Sequence, residues 1–152
     1  MKKKTLAAVL TAGMLAVAAT TAMAQSAAET IATRQAGFKS IAAATGDIKK
    51  ALDAGADLTT VAAKAQVVVD FARKIPALFP AGTDSTNATK NRALPAIWQN
   101  KANFDTIAAT LAGEGDKLGA ALKANDKTAA TAAFAAMTNQ CGVCHRPYRV
   151  PQ

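Results

Sequence analysis

The sequence predicts an all-α protein, an antiparallel four-helix bundle. Alanine is abundant and runs of β-branched residues are few. Apolar residues recur at spacings of three, four and seven, the period of a helix face and not of a strand. Four such stretches, punctuated by Gly, Pro and Asp, take up most of the chain, and short links between the first and second and between the third and fourth imply antiparallel neighbours. There is no alternating strand pattern and no internal repeat.

The elements follow in order. Lys2, Lys3 and Lys4 precede an uncharged apolar stretch, Leu6 to Ala19, and Ala22-Met23-Ala24 has the small-x-small pattern of a cleavage site. Residues 1–24 read as a secretory signal peptide, which makes the protein exported and periplasmic. The apolar stretch is too short and alanine-rich for a comfortable span, which needs about 20 strongly apolar residues, and no later segment of the mature chain reads as a membrane span. Residues 25–152 then form one domain.

Ser26-Ala27-Ala28-Glu29 fits a capping box at the start of the first helix. Ile31, Phe38, Ile41, Ile48 and Leu52 mark its apolar stripe, Gly46 is a weak point midway, and Gly55 ends it. Asp57 is the expected cap of a second helix, whose buried face reads Leu58, Val61, Ala65, Val68, Phe71 and Ile75 until Pro76 and Pro80 stop it. Residues 79–91 form a long polar loop. Pro95 suits the first turn of a third helix lined by Ile97, Trp98, Phe104, Ile107, Leu111, Leu118 and Leu122, with Gly113 and Gly115 as places to bend. Asp126 caps a fourth helix whose seam is Ala130, Phe134, Met137, Cys141, Cys144 and Tyr148.

The formal charge of the 152-residue chain is +8. Loss of the three signal-peptide lysines takes it to +5. The basic residues are scattered, with no dense run and no interleaved aromatics, which argues against nucleic acid as a partner. A modest positive surface suits docking to an acidic redox protein, whose identity the sequence does not give, and equally a solvated face.

The chemistry is concentrated near the C-terminus. The chain has two Cys and one His, and all three fall in Cys141-Gly142-Val143-Cys144-His145. Cys-x-x-Cys-His is the attachment signature of one covalent haem c. On a helix the two sulfurs share a face and reach two vinyl groups on one edge of a porphyrin, while His145 follows at once to ligate the iron. A thioredoxin-like dithiol expects a βαβ setting, which is missing. A zinc site needs four ligands and finds three. A disulfide is awkward within one helical turn.

A helical bundle with this motif near its C-terminus resembles the class II c-type cytochromes, the cytochrome c-prime family. The tail Cys-Gly-Val-Cys-His-Arg-Pro-Tyr-Arg, the stretch Phe79-Pro80-Ala81-Gly82-Thr83, the later Pro95-Ala96-Ile97-Trp98, and Arg34-Gln35 all carry the likeness. The resemblance implies that Arg34 lies near the haem propionates and that Arg149 flanks the proximal face. Bland alternatives are solvated arginines on the helix, and a helix C-terminus favours cations in any case. It also implies an electron-transfer haem protein and leaves room for a homodimer through the first two helices.

The sixth iron position bears on function, because an open one admits ligands. In low-spin relatives a Met occupies it three or four residues after the first-helix Arg. Here those positions are Gly37 and Phe38. Met137, the one methionine of the mature chain, sits two turns before His145 on the same helix and reads as core packing. Phe38 therefore resembles the distal residue of high-spin members, a role compatible with ordinary packing on its stripe. An open site under an apolar cap favours NO and CO. Two alternatives stay open: a low-spin electron carrier with a sixth ligand not identified in the sequence, and a dedicated NO scavenger. A peroxidase-like enzyme would need a distal His and Arg pair to cleave an O–O bond, and the reading is of a protein that is not an enzyme.

Overall fold

The computed structural model describes residues 6–87 and 89–151, with side chains from Ser26 onward. The expected positive n-region, Lys2 to Lys4, lies outside the described residues. Five α-helices follow in order: α1 (Leu6–Asp53), α2 (Ala62–Lys74), α3 (Ala96–Gln99), α4 (Lys101–Lys123) and α5 (Lys127–Tyr148). The four long ones make the bundle. α1 packs on α2, α2 on α4 and α4 on α5, whereas α1 and α5 barely meet. Among the described residues no helix is long and apolar enough to cross a membrane.

The two short connections lie together at one end. Gly55 and Asn125 both adopt left-handed conformations, φ 61° and 52°. Each closes its helix in the same way: Ala56 N–H donates to Ala51 O and Gly55 N–H to Leu52 O, and Asp126 N–H donates to Ala121 O and Asn125 N–H to Leu122 O. The Asn125 side chain accepts from Leu58 N–H at 2.9 Å, which ties one connection to the other. Asp126 caps α5 as expected, its carboxylate accepting from Ala129 N–H; Asp57 accepts from Thr59 N–H but caps a 3₁₀ turn, Leu58–Val61, that precedes α2, in place of the helix itself. Ile48, Leu58, Leu118, Leu122 and Ala130 fill this end and are fully buried.

The opposite end is looser in secondary structure. After α2 a 3₁₀ turn, Ile75–Leu78, leads into the loop, and the segment 92–94 returns beside the C-terminus. Leu94 N–H donates to Tyr148 O at 3.0 Å and Val150 N–H to Arg92 O at 2.9 Å.

Four local expectations need correction. Ser26 is not a cap, because α1 continues unbroken through it and Thr30 Oγ1 donates to its carbonyl as within any helix. Gly46 does not interrupt α1. Gly113 and Gly115 do not break α4; Gly115 instead lets α2 approach, since a Cβ there would lie 2.8 Å from Val69 Cγ2. The break falls at Asn100, whose backbone (φ −133°, ψ 53°) separates the short α3 from α4.

Candidate functional site

The gap between α1 and α5 is a cavity of about 750 Å³, inside the usual range for a cofactor site. α1 contributes Arg34, Phe38 and Ile41; α4 contributes Phe104, Ile107 and Leu111; α5 contributes Phe134, Cys141, Cys144, His145 and Tyr148. The helical period explains the convergence. Phe134, Cys141, Cys144 and Tyr148 share one face of α5, while Met137 on the same seam is buried in the core and does not line the cavity.

Both cysteines are half-buried free thiols. Burial pushes the Cys144 thiol up to about 11, helped by neighbouring Cys141, and burial raises Cys141 as well. A redox dithiol needs a lowered thiol pKa, so this wall is unsuited to that chemistry. Among the described residues no three or more His, Cys, Asp or Glu side chains are grouped to hold a bare metal ion.

His145 stands at the cavity rim, more exposed than the cysteines. Partial burial of the ring lowers its pKa, and the charges of Arg149 and Arg92 add to the effect. The imidazole is thereby held in the neutral form that a metal ligand requires. Arg149 Nη1 lies 3.4 Å from His145 Nδ1, so the residue expected to flank the proximal side is beside the histidine.

Arg34 is far from a solvated arginine. It is 3% exposed and donates to Thr83 Oγ1 at 3.2 Å, Thr83 O at 2.9 Å and Asn91 Oδ1 at 3.1 Å. Its guanidinium lies 4.3 Å over the Phe79 ring. Burial lowers its pKa to about 10, well above neutrality, so the group is charged at pH 7. No carboxylate pairs with it among the described residues. Lys39, Lys49, Arg92 and Arg149 line the same cavity, and among the described residues no Asp or Glu does. An apolar cleft with two thiols on one wall and an excess of cations at its edge, of which Lys49 is paired with Asp53, fits a flat apolar macrocycle carrying acidic groups, which is the description of haem.

The structure therefore brings together all six residues singled out from the sequence: Arg34, Phe38, Cys141, Cys144, His145 and Arg149. Sequence reasoning missed Arg92, whose guanidinium reaches Val150 O, and did not assign Thr83 and Asn91 as the partners of Arg34. Nothing local marks Arg92; for the other two the only signal is their place in the polar loop.

Comparison with known proteins gives a consistent result. A family model described as Cytochrome C' matches residues 29–149. A cytochrome c' of Rhodopseudomonas palustris is 33% identical over 140 residues, 91% of this chain and 92% of that protein. The crystal structure of cytochrome c' from Thermochromatium tepidum, 35% identical, superposes with a TM-score of 0.77 and covers 82% of this chain and 97% of its own. A nitric oxide complex of a mutant cytochrome c prime from Alcaligenes xylosoxidans, 25% identical, superposes with a TM-score of 0.72 over 82% of this chain and 95% of that one.

Proposed function

Because the chain belongs to the cytochrome c' family, a family of covalent haem c proteins, we propose that it is a periplasmic monohaem cytochrome with an open distal site for NO or CO. Haem c supplies an iron that changes oxidation state and binds small ligands. In this reading Cys141 and Cys144 hold the macrocycle by thioethers and His145 ligates the iron. Arg34 offsets propionate charge, and Arg149 keeps the His145 ring in place. Residues 1–24 serve for export and are removed.

The observation that carries the open site is the make-up of the α1 wall. Phe38 lines the cavity where a sixth ligand would have to come from, and phenylalanine cannot ligate. No methionine sulfur lines the cavity among the described residues. Phe38 meets the Phe79 ring, and Ile41 and Ile75 line the same cavity. Such an apolar wall suits NO and CO, which do not require a hydrogen-bond donor, over O₂, which usually profits from one. The nitric oxide complex of the Alcaligenes xylosoxidans relative supports the same reading.

The test has two parts. Mass spectrometry of the purified protein is expected to give the chain from Gln25 plus one haem that resists acid-acetone extraction; haem that extracts freely overturns the attachment. Stopped-flow CO binding to the ferrous protein is expected to be faster in Phe38→Ala than in wild type. Equal rates alongside a lower melting temperature would make Phe38 a packing residue and nothing more.

A further inference from the structure

Phe38 does not stand alone. The ring of Phe71, on α2, meets it edge-on, with centroids 5.0 Å apart and planes at 79°. Phe79 meets it from another direction at 6.5 Å and 70°. Phe71 itself does not line the cavity. What seats it is Gly37, the residue before Phe38. A Cβ at Gly37 would lie 1.8 Å from Phe71 Cε2 and 2.4 Å from Cδ2, so the ring rests against bare α1 backbone. A phenylalanine in a helix has two accessible χ1 wells, and an edge-on neighbour on each side selects between them by contact.

We propose that Gly37 and Phe71 are positioning residues for the distal site: Phe71, seated in the notch at Gly37, holds Phe38 over the cavity and so sets the rate at which small ligands enter. This rests on the reading of Phe38 as the distal residue. It assigns ligand access to a residue of α2 that touches neither ligand nor cofactor.

The experiment uses the haem-loaded ferrous protein and CO as probe. Phe71→Leu removes the edge contact, and Gly37→Ala expels the ring from its notch. Each is expected to raise the CO association rate by about twofold to tenfold, the rate equivalent of one lost aromatic pair. Gly115→Ala is the control, because a Cβ there would crowd Val69 at 2.8 Å on the same helix α2, and neither residue lines the cavity. It is expected to lower thermal stability and leave the CO rate unchanged. A crystal structure of Phe71→Leu is expected to show the Phe38 ring in more than one rotamer. Phe38→Ala separates two kinds of failure. If it does not speed CO binding, the distal reading itself is wrong. If it does, while Phe71→Leu and Gly37→Ala bind CO at the wild-type rate or no faster than Gly115→Ala, the positioning role is overturned.

Discussion

Arg34 shows what a single side chain does in this fold. A buried guanidinium costs free energy unless its donors are used and its charge answered. Thr83 and Asn91 use the donors and the Phe79 ring offers its electron-rich face, yet among the described residues no carboxylate answers the charge. The arginine thus fastens the loop to α1 and leaves its positive charge available at the cavity. Thr83, 1% exposed, loses a donor to its carbonyl if the guanidinium goes, whereas Asn91 Oδ1 keeps the Ala93 N–H. Arg34→Leu is expected to destabilise the protein by about 1–3 kcal/mol, the penalty of leaving a buried polar group unpaired. Arg34→Lys should fall between, since an ammonium keeps the charge but not the planar fork. Urea unfolding of the three proteins checks this; an Arg34→Leu variant as stable as wild type would show that the arginine does not fasten the loop. Position 34 is legible in the sequence as part of the Arg34-Gln35 pair. Its partners are not, because they lie 49 and 57 residues away and only the folded loop brings them back.

At the scale of elements, punctuation that acts locally was readable and punctuation that depends on neighbours was not. Asp57 and Asp126 cap through their own side chains onto backbone two and three residues ahead, so an Asp before an apolar period is enough to find them. Asn100 breaks the third helix without Gly or Pro. Ser26 fails as a cap in the uncleaved chain because residues upstream of it continue the helix. The Asp57 cap also makes the fold sensitive to acid. Hydrogen bonds from the Thr59 hydroxyl and backbone N–H hold its carboxyl below the ordinary value of 3.8. A carboxylate depressed on folding contributes stability that is fully present above the unfolded pKa and is lost as pH falls through the folded one. The melting temperature of wild type should therefore drop more steeply between about pH 5 and pH 2.5 than that of Asp57→Asn, which keeps the acceptor oxygen but does not titrate. Parallel acid profiles would mean that the cap bonds do not depend on the charge.

For the whole molecule, the cavity is the feature that organises the rest. In the sequence the basic residues are scattered, and the fold gathers Arg34, Lys39, Lys49, Arg92 and Arg149 around one opening, which no count of charges could reveal. Cys141, Cys144 and His145, the residues proposed to hold the haem, were by contrast legible because that chemistry needs them adjacent on one helical turn. Three of the four helix contacts are close and the fourth, between α1 and α5, is replaced by the cavity. The bundle is accordingly incomplete as a hydrophobic core without its haem. The cavity is open at its rim, so without haem its largely apolar wall meets water. The chain cannot close it by collapse without drawing α1 onto α5 and losing the seam that α1 makes with α2. Cys141→Ala combined with Cys144→Ala, purified free of haem, should therefore retain helical far-ultraviolet circular dichroism but lose its near-ultraviolet signal and bind a hydrophobic dye, the behaviour of a chain with helices and no fixed packing. Full unfolding would support the same conclusion more strongly. A haem-free double variant that melts cooperatively near the wild-type temperature would show that the four helices pack on their own, and that the cavity is a site added to a finished core and not the centre around which the core forms.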